Sequence, residues 1–159
     1  MGNKQDALGA FPPMHEWPYY WISRVNAQYT IVLEEQLKPH GINLSRWRVL
    51  SSLYERGSLG VSEIADFAIL RLNTATKVVQ KMATEGLVQT EVNTHDARIT
   101  QVVLTEEGRR QALFARNLAT RRFEASFNTV SEGEREQLNE LLDRVATKLA
   151  VMSDGKGVS

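Results

Sequence analysis

Five polar side chains recur on one face of a predicted helix in the middle of the chain. Asn and Gln amides pair with adenine edges, Thr offers a hydroxyl and a methyl group, and Lys reaches guanine or phosphate. No acidic residue lies between positions 71 and 81. The alternative interpretation is an ordinary helix face that contacts only solvent. The pattern favours a surface that reads a DNA major groove. Its residues are Asn73, Thr74, Lys77, Gln80 and Lys81, and Arg71, just before the helix, is added to the candidate DNA-binding residues.

A second basic feature is the sequence Asp96-Ala97-Arg98, which ends a turn between two predicted strands, 87–90 and 99–104. Arg98 would enter a minor groove, where negative potential is concentrated. Asp96 would hold the guanidinium as a bidentate partner. An Asp-x-Arg turn is frequent by chance, so its weight comes from its position after a helix pair.

Two short helices have to position the polar face. The first is predicted over 61–69 with Ser62 as its N-cap, and the second over 73–85, where Gly86 ends it. Each helix has an apolar side, and the two sides are expected to pack together in the core. Those positions are Ile64, Ala65 and Ala68 on the first helix and Leu72, Ala75, Val79 and Met82 on the second.

Longer helices are predicted on both sides of this pair. One covers 18–38, a second begins at its cap Ser45, and residues 57–60 form a break before the short helices. Thr105 caps a helix that extends to about residue 128, and the capping box of Ser131 and Glu134 begins the last helix.

The last helix carries an apolar seam at four-three spacing, which is typical of coiled-coil packing. Its residues are Leu138, Leu142, Val145, Leu149 and Met152. The first helix and the last two have more apolar surface than one small domain can cover. We therefore predict a two-fold homodimer, with an intramolecular helix bundle as the alternative.

Five of the twelve aromatic residues lie between positions 11 and 21, close to arginines. Aromatic rings with a few guanidinium donors suit a small aromatic carboxylate or a related acid. The alternative is that the rings form the core of the dimer. The predicted effector site comprises Trp17, Tyr20, Trp21, Arg24, Trp47 and Arg48.

Composition argues against several other functions. The 159 residues include no cysteine, which excludes a disulfide scaffold, a thiolate zinc site and a thiol redox switch. The three histidines lack metal-ligand spacing and no nucleophile motif occurs, so no catalytic residue, metal or cofactor is predicted. The apolar runs are too short for a membrane span, and no secretory signal is evident, so we expect a cytoplasmic protein.

The formal net charge is zero, from 19 basic and 19 acidic residues. Nucleic-acid-binding proteins are often basic overall, so this balance argues mildly against such a function. A phosphate backbone responds to the local field, however, and the segment 71–81 is basic while 131–151 is acidic.

The order of these elements resembles the MarR (multiple antibiotic resistance regulator) family of winged helix-turn-helix transcription factors. The likeness covers about residues 15–152. The strings that carry it are Leu44-Ser45-Arg46-Trp47-Arg48-Val49-Leu50, Val61-Ser62-Glu63-Ile64-Ala65, Glu85-Gly86-Leu87-Val88, Asp96-Ala97-Arg98 and Val103-Leu104-Thr105-Glu106-Glu107-Gly108.

The resemblance implies a mainly α fold with a small β-hairpin wing (α+β). The winged helix-turn-helix domain would cover 45–104, and dimerisation helices would cover 15–40 and 108–152. A flexible arm, 1–14, and a flexible tail, 153–159, would complete the chain.

The resemblance also implies an obligate homodimer whose recognition helix, 73–85, enters the major groove. The wing, 90–99, would reach the minor groove, with Arg98 as the wing arginine and Asp96 as its anchor. The function expected is that of a dimeric repressor of a palindromic operator, released by a small effector such as an aromatic acid. The alternative is a winged-helix protein-interaction module that does not bind DNA.

Overall fold

The computed structural model describes residues 13–92 and 100–154 and is mainly helical with one small antiparallel sheet, which confirms the predicted fold class. The chain forms two compact units, Met1–Ala119 and Thr120–Ser159. The elements in order are α1 (Pro18–Leu37), α2 (Leu44–Arg56), β1 (Ser58–Leu59), α3 (Val61–Phe67), α4 (Leu72–Thr84), β2 (Val88–Val92), β3 (Thr100–Leu104), α5 (Glu106–Ser126) and α6 (Glu132–Asp154).

The first two helices are joined by a 3-10 turn, Lys38–His40, and by Gly41 in the left-handed region at φ 71°. The prediction that Ser45 caps α2 is wrong, because α2 begins two residues earlier, at Leu44, with Asn43 as its N-cap. The side-chain oxygen of Asn43 accepts a hydrogen bond from the Arg46 backbone N–H at 2.9 Å. Ser45 therefore lies inside the first turn.

The sheet has three strands in the order β1-β3-β2, and both pairings are antiparallel. β2 and β3 form the predicted hairpin, in which Val88 pairs with Leu104 and Thr90 with Val102. The prediction that residues 57–60 are only a break is wrong, because Ser58 and Leu59 pair with β3 as a short strand. Two residues are too few to show strand periodicity in a sequence.

The core of the first unit is formed by the C-terminal half of α1, by α2 to α4, by the sheet and by the first half of α5. Ile64, Ala65 and Ala68 of the α3 region are buried in it, as predicted. The largest fully buried side chains are Leu33, Leu37, Ile42, Leu50, Leu53, Ile64 and Met82.

The C-terminal end of α4 and the N-terminal start of α5, both predicted from the sequence, meet at one junction. Gly86 ends α4 with φ 74°, which glycine adopts without a steric penalty. The Thr105 hydroxyl donates to the carbonyl oxygen of Gly86 at 2.7 Å and accepts from the backbone N–H of Gly108 at 3.0 Å. Thr105 is therefore the N-cap of α5, which confirms the prediction.

The second unit contains the end of α5 and α6. The capping box predicted from the sequence is present, since Ser131 N–H donates to the Glu134 carboxylate at 2.8 Å and Glu134 N–H donates to the Ser131 hydroxyl at 3.3 Å. The five seam residues of α6 have exposed fractions between 39% and 59%. Among the helices described, none is both long enough and apolar enough to cross a membrane.

Candidate nucleic-acid interface

The polar face of α4 points outward. One side of the helix is buried against the core through Ala75, Val79 and Met82. The predicted groove-reading residues Asn73, Thr74, Lys77, Gln80 and Lys81 are all exposed. The predicted facing of these residues is confirmed, and their contact with DNA stays a prediction.

The start of α4 differs from the prediction. Arg71 is the N-cap, and its carbonyl oxygen accepts from the N–H groups of Thr74 at 2.9 Å and Ala75 at 3.0 Å. Leu72 was expected on the buried side, and this is wrong because its side chain is 54% exposed. A helical side chain leans toward the N-terminus of its helix, so Leu72 at the first position extends past the core rather than over it.

The turn between α3 and α4 is tight and contains an unusual backbone conformation. α3 ends at Phe67, earlier than predicted, and Ile69 has φ 55° with its side chain 80% exposed. A β-branched residue rarely adopts this conformation. The Leu70 N–H donates to the Ala65 carbonyl oxygen at 2.8 Å, and Arg48 Nη1 lies 3.5 Å from the Ile69 carbonyl oxygen.

The N-cap of α3 also differs from the prediction. Gly60, and not Ser62, precedes the first helical residue, and its N–H donates to Glu63 Oε2 at 2.7 Å. Ser62 is therefore the second residue of the helix. The Glu63 carboxylate compensates for a cap that has no side chain of its own.

The opposite end of α4 is held by an ion pair that sequence reasoning missed. Arg46 on α2 donates through Nη2 to Glu85 Oε2, at the C-cap of α4. The two residues are 39 positions apart, so no local spacing indicates their contact. α2 thus contacts the helix-turn-helix pair at both ends of α4.

The predicted wing is described only in part. β2 and β3 extend toward its tip and pair there through Val92 and Thr100. Asp96 and Arg98, the predicted minor-groove residues, lie outside the described residues.

Comparison with known proteins identifies this arrangement. The MarR family model matches residues 42–100. The HTH-type transcriptional repressor IacR of Pseudomonas putida is 36% identical over 137 residues, which are 86% of this chain and 82% of that protein. The chain belongs to the MarR family. MarR-family proteins are transcriptional regulators and not enzymes, which agrees with the lack of any predicted catalytic residue.

Two solved structures share the fold. CouR from Rhodococcus jostii RHA1, bound to p-coumaroyl-CoA, superposes with a TM-score of 0.79 at 20% identity and covers 86% of this chain and 96% of its own. A MarR-family transcriptional regulator from Silicibacter pomeroyi gives a TM-score of 0.77 at 20% identity, with coverages of 86% and 92%. At these identities the likeness extends to the fold alone.

The residues predicted to bind an effector fall into two groups in this MarR-family chain. At the start of α1, Arg24 Nη1 donates to the Tyr20 hydroxyl at 3.2 Å, and the rings of Tyr20 and Trp21 meet edge to face at 5.2 Å. The Trp21 indole N–H donates to the His15 carbonyl oxygen at 2.7 Å, and Trp17 is the N-cap of α1. This group presents aromatic edges and one guanidinium together.

Trp47 and Arg48 belong to the second group, on α2. Trp47 is partly buried and packs against the core, while Arg48 reaches the Ile69 carbonyl oxygen. This contact places Arg48 beside the turn before α4, and its role in effector binding stays a prediction.

A surface depression near these elements was not predicted. It has a volume of about 390 Å³ and is lined by Glu34, Lys38, Gly41, Ile42 and Asn43. One acid and one base at its rim make it electrostatically mixed. Within residues 13–92 and 100–154, no three His, Asp or Glu side chains come together as metal ligands do.

Proposed function

We propose that the chain binds a palindromic DNA operator as a homodimer and represses transcription there. The exposed polar face of α4 carries this proposal. That face combines amide, hydroxyl and ammonium groups, and the only charges on it are positive. The opposite face, with Ala75, Val79 and Met82, is buried in the core, so these groups project together from the outer side of the helix.

Dimerisation is proposed through helices within 15–40 and 108–152, and DNA binding through 45–104. On α1, Ile22, Val25 and Val32 are exposed, and the apolar seam of α6 is exposed as well. Exposed apolar surface of this extent favours burial against a second copy. A two-fold dimer would place its recognition helices one turn of DNA apart, about 34 Å.

The wing is proposed to hold the DNA backbone and the minor groove. Arg98 would insert into the groove and Asp96 would orient its guanidinium, as the family resemblance implies. We also propose a cytoplasmic location, where the operator would be accessible.

A small aromatic acid is the proposed effector, with Trp17, Tyr20, Trp21, Arg24, Trp47 and Arg48 as candidate contacts. Support comes from structural neighbours: NadR was solved with 4-hydroxyphenylacetate, and DNA binding by Bordetella bronchiseptica BpsR is regulated by 6-hydroxynicotinic acid. The Tyr20–Arg24 contact offers a ring edge beside a guanidinium.

The effector has to bind the form that does not fit DNA more tightly than the form that does, since equal affinity would shift nothing. A ten- to hundredfold loss of operator affinity requires about 1.4 to 2.8 kcal/mol of differential binding.

Selection of duplexes from a random pool tests the proposal. Enrichment of an inverted repeat with half-sites about ten base pairs apart is the expected result. Binding to that site should weaken steeply as salt increases. Failure to enrich any duplex would refute the proposal and favour a winged-helix protein-interaction module.

A further inference from the structure

Arg46 makes three contacts that join separate parts of the first unit. Its Nη1 donates to the Gly41 carbonyl oxygen at 3.2 Å, and its Nη2 donates to the Glu85 carboxylate. Its backbone N–H donates to the side chain of Asn43. The Arg46 side chain is 13% exposed and that of Glu85 is 35% exposed, so the pair is shielded more than an ordinary surface ion pair.

Glu85 occupies an electrostatically unfavourable place. It is the C-cap of α4, where the helix dipole is negative, and an acid there is destabilising unless a cation lies beside it. Arg46 supplies that cation from α2. The pair therefore offsets the dipole and fixes the direction in which α4 ends.

The polar face of α4 depends on this end. The Glu85 N–H donates to the Lys81 carbonyl oxygen at 3.1 Å, so Lys81 lies one turn before the ion pair. At the other end, the turn at Ile69 and the cap Arg71 precede the helix, and Ala75 is buried in the core within its first turns. A small tilt of α4 about that turn would move Gln80 and Lys81 more than Asn73.

We propose that Arg46 is a positioning residue for DNA reading, and that it acts through Glu85 by fixing the tilt of α4. This inference rests on the proposed function. Arg46 keeps Gln80 and Lys81, at the C-terminal half of the polar face, in register with successive base pairs. Its loss weakens the discrimination of the operator from other sequences more than it weakens attraction to phosphate.

The direction in which Glu85→Gln changes operator affinity distinguishes a positioning role from a purely electrostatic one. Glu85→Gln removes an acid close to the basic face, and by charge alone this strengthens binding to any duplex. If Glu85 anchors α4 through Arg46, the same change weakens binding to the operator. The two accounts predict opposite changes in operator affinity. By charge alone the ratio of operator affinity to non-specific affinity stays the same, whereas loss of positioning lowers that ratio.

The experiment compares Arg46→Gln, Glu85→Gln and the double variant on the selected operator and on a scrambled duplex of equal length. Each single change should lower the affinity ratio about three- to tenfold. The double variant should lose no more than the larger single loss, because both changes remove one interaction. The salt dependence should stay as in the wild type, since neither side chain is proposed to contact phosphate.

A matched control is the exposed ion pair of Glu107 and Arg110 on α5. Glu107→Gln and Arg110→Gln remove the same kind of contact and should leave the ratio unchanged. The reciprocal exchange Arg46→Glu with Glu85→Arg restores opposite charges but not the contact with the Gly41 carbonyl oxygen, so it should regain part of the ratio even if one single variant unfolds.

If the wild-type protein selects an operator and both single variants keep the wild-type affinity ratio, this inference is overturned while the proposed function stands. Additive losses in the double variant would also overturn it. Wild-type protein that selects no duplex would overturn the proposed function, and this inference with it.

Discussion

Gly108, in the first turn of α5, lies directly against the carbonyl oxygen of Leu87. A Cβ atom on Gly108 would be 1.9 Å from that oxygen, far inside any permitted contact. The same oxygen accepts a hydrogen bond from the Thr105 N–H at 3.0 Å. The start of α5 is thus packed onto the residue that precedes β2, with no space for a side chain between them.

Gly108→Ala should lower the free energy of unfolding by about 1–3 kcal/mol, because a methyl group has to displace backbone atoms. Urea unfolding followed by circular dichroism measures the loss. Gly133→Ala is the matched control, since a Cβ there meets nothing within 4 Å, and we expect that variant to be unchanged or slightly stabilised. Equal losses in both variants would contradict the steric explanation.

Lys77→Ala and Asn73→Ala should each weaken operator binding by about 1–3 kcal/mol, with the loss confined to particular base pairs. Both side chains are exposed on the polar face of α4. Binding to a panel of single-base operator variants measures the effect. Lys148→Ala, which removes an exposed lysine from α6, is the control for charge alone. Unchanged site preference in Lys77→Ala and Asn73→Ala would refute the proposed reading face.

Arg98→Ala should weaken binding to many sequences to a similar degree. The salt dependence should also become shallower by about one counterion, since one phosphate-proximal cation is removed. Titration of operator and scrambled duplexes at several salt concentrations measures both quantities. A loss confined to one operator variant would mean that Arg98 reads a base instead.

Leu142→Asp should give monomers that fail to bind the operator. Leu142 belongs to the apolar seam of α6, and a carboxylate there would be buried without a partner in the proposed dimer. Sedimentation velocity reports the oligomeric state. Asn139→Asp adds the same charge at an exposed position off the seam and should remain dimeric. An intact Leu142→Asp dimer would exclude the seam as the interface.

Glu134 links the stability of α6 to pH. Hydrogen bonds from the Ser131 hydroxyl and backbone N–H lower the pKa of the Glu134 carboxyl. A lowered pKa in the folded state stabilises it above the ordinary pKa of glutamate, and that stabilisation is lost as the pH falls through the folded-state value. Ser131→Ala should raise the pKa of Glu134 toward its ordinary value in an NMR titration. An unchanged pKa would show that the hydroxyl is not a significant cause.

Local periodicity predicted the parts of the interface that depend on one helix. Helical spacing alone separates Ala75, Val79 and Met82 from the exposed residues of α4, because the 3.6-residue period is a property of the segment itself. The same argument failed at Leu72, where the helix begins and neighbouring turns no longer surround the side chain.

Caps and long-range contacts were harder to predict. Asn43 and Gly60 are the N-caps of α2 and α3, where Ser45 and Ser62 were expected. Several residues near the start of a helix are able to cap it, and tertiary packing selects one of them. Neither the pairing of β1 with β3 nor the Arg46–Glu85 contact leaves a periodic trace in the sequence. The residues responsible are far apart along the chain and meet only after folding.

The three-stranded sheet has a consequence for how copies of this protein meet. β3 has a neighbour on each side, and one outer strand is only two residues long. The other outer strand, β2, displays the polar side chains of Gln89 and Glu91. Short or charged edge strands discourage a strand of another molecule from pairing with the sheet, which limits aggregation into extended intermolecular sheets. The edges of the sheet therefore offer little for a second copy to pair with, which is consistent with the helix-mediated dimer proposed above.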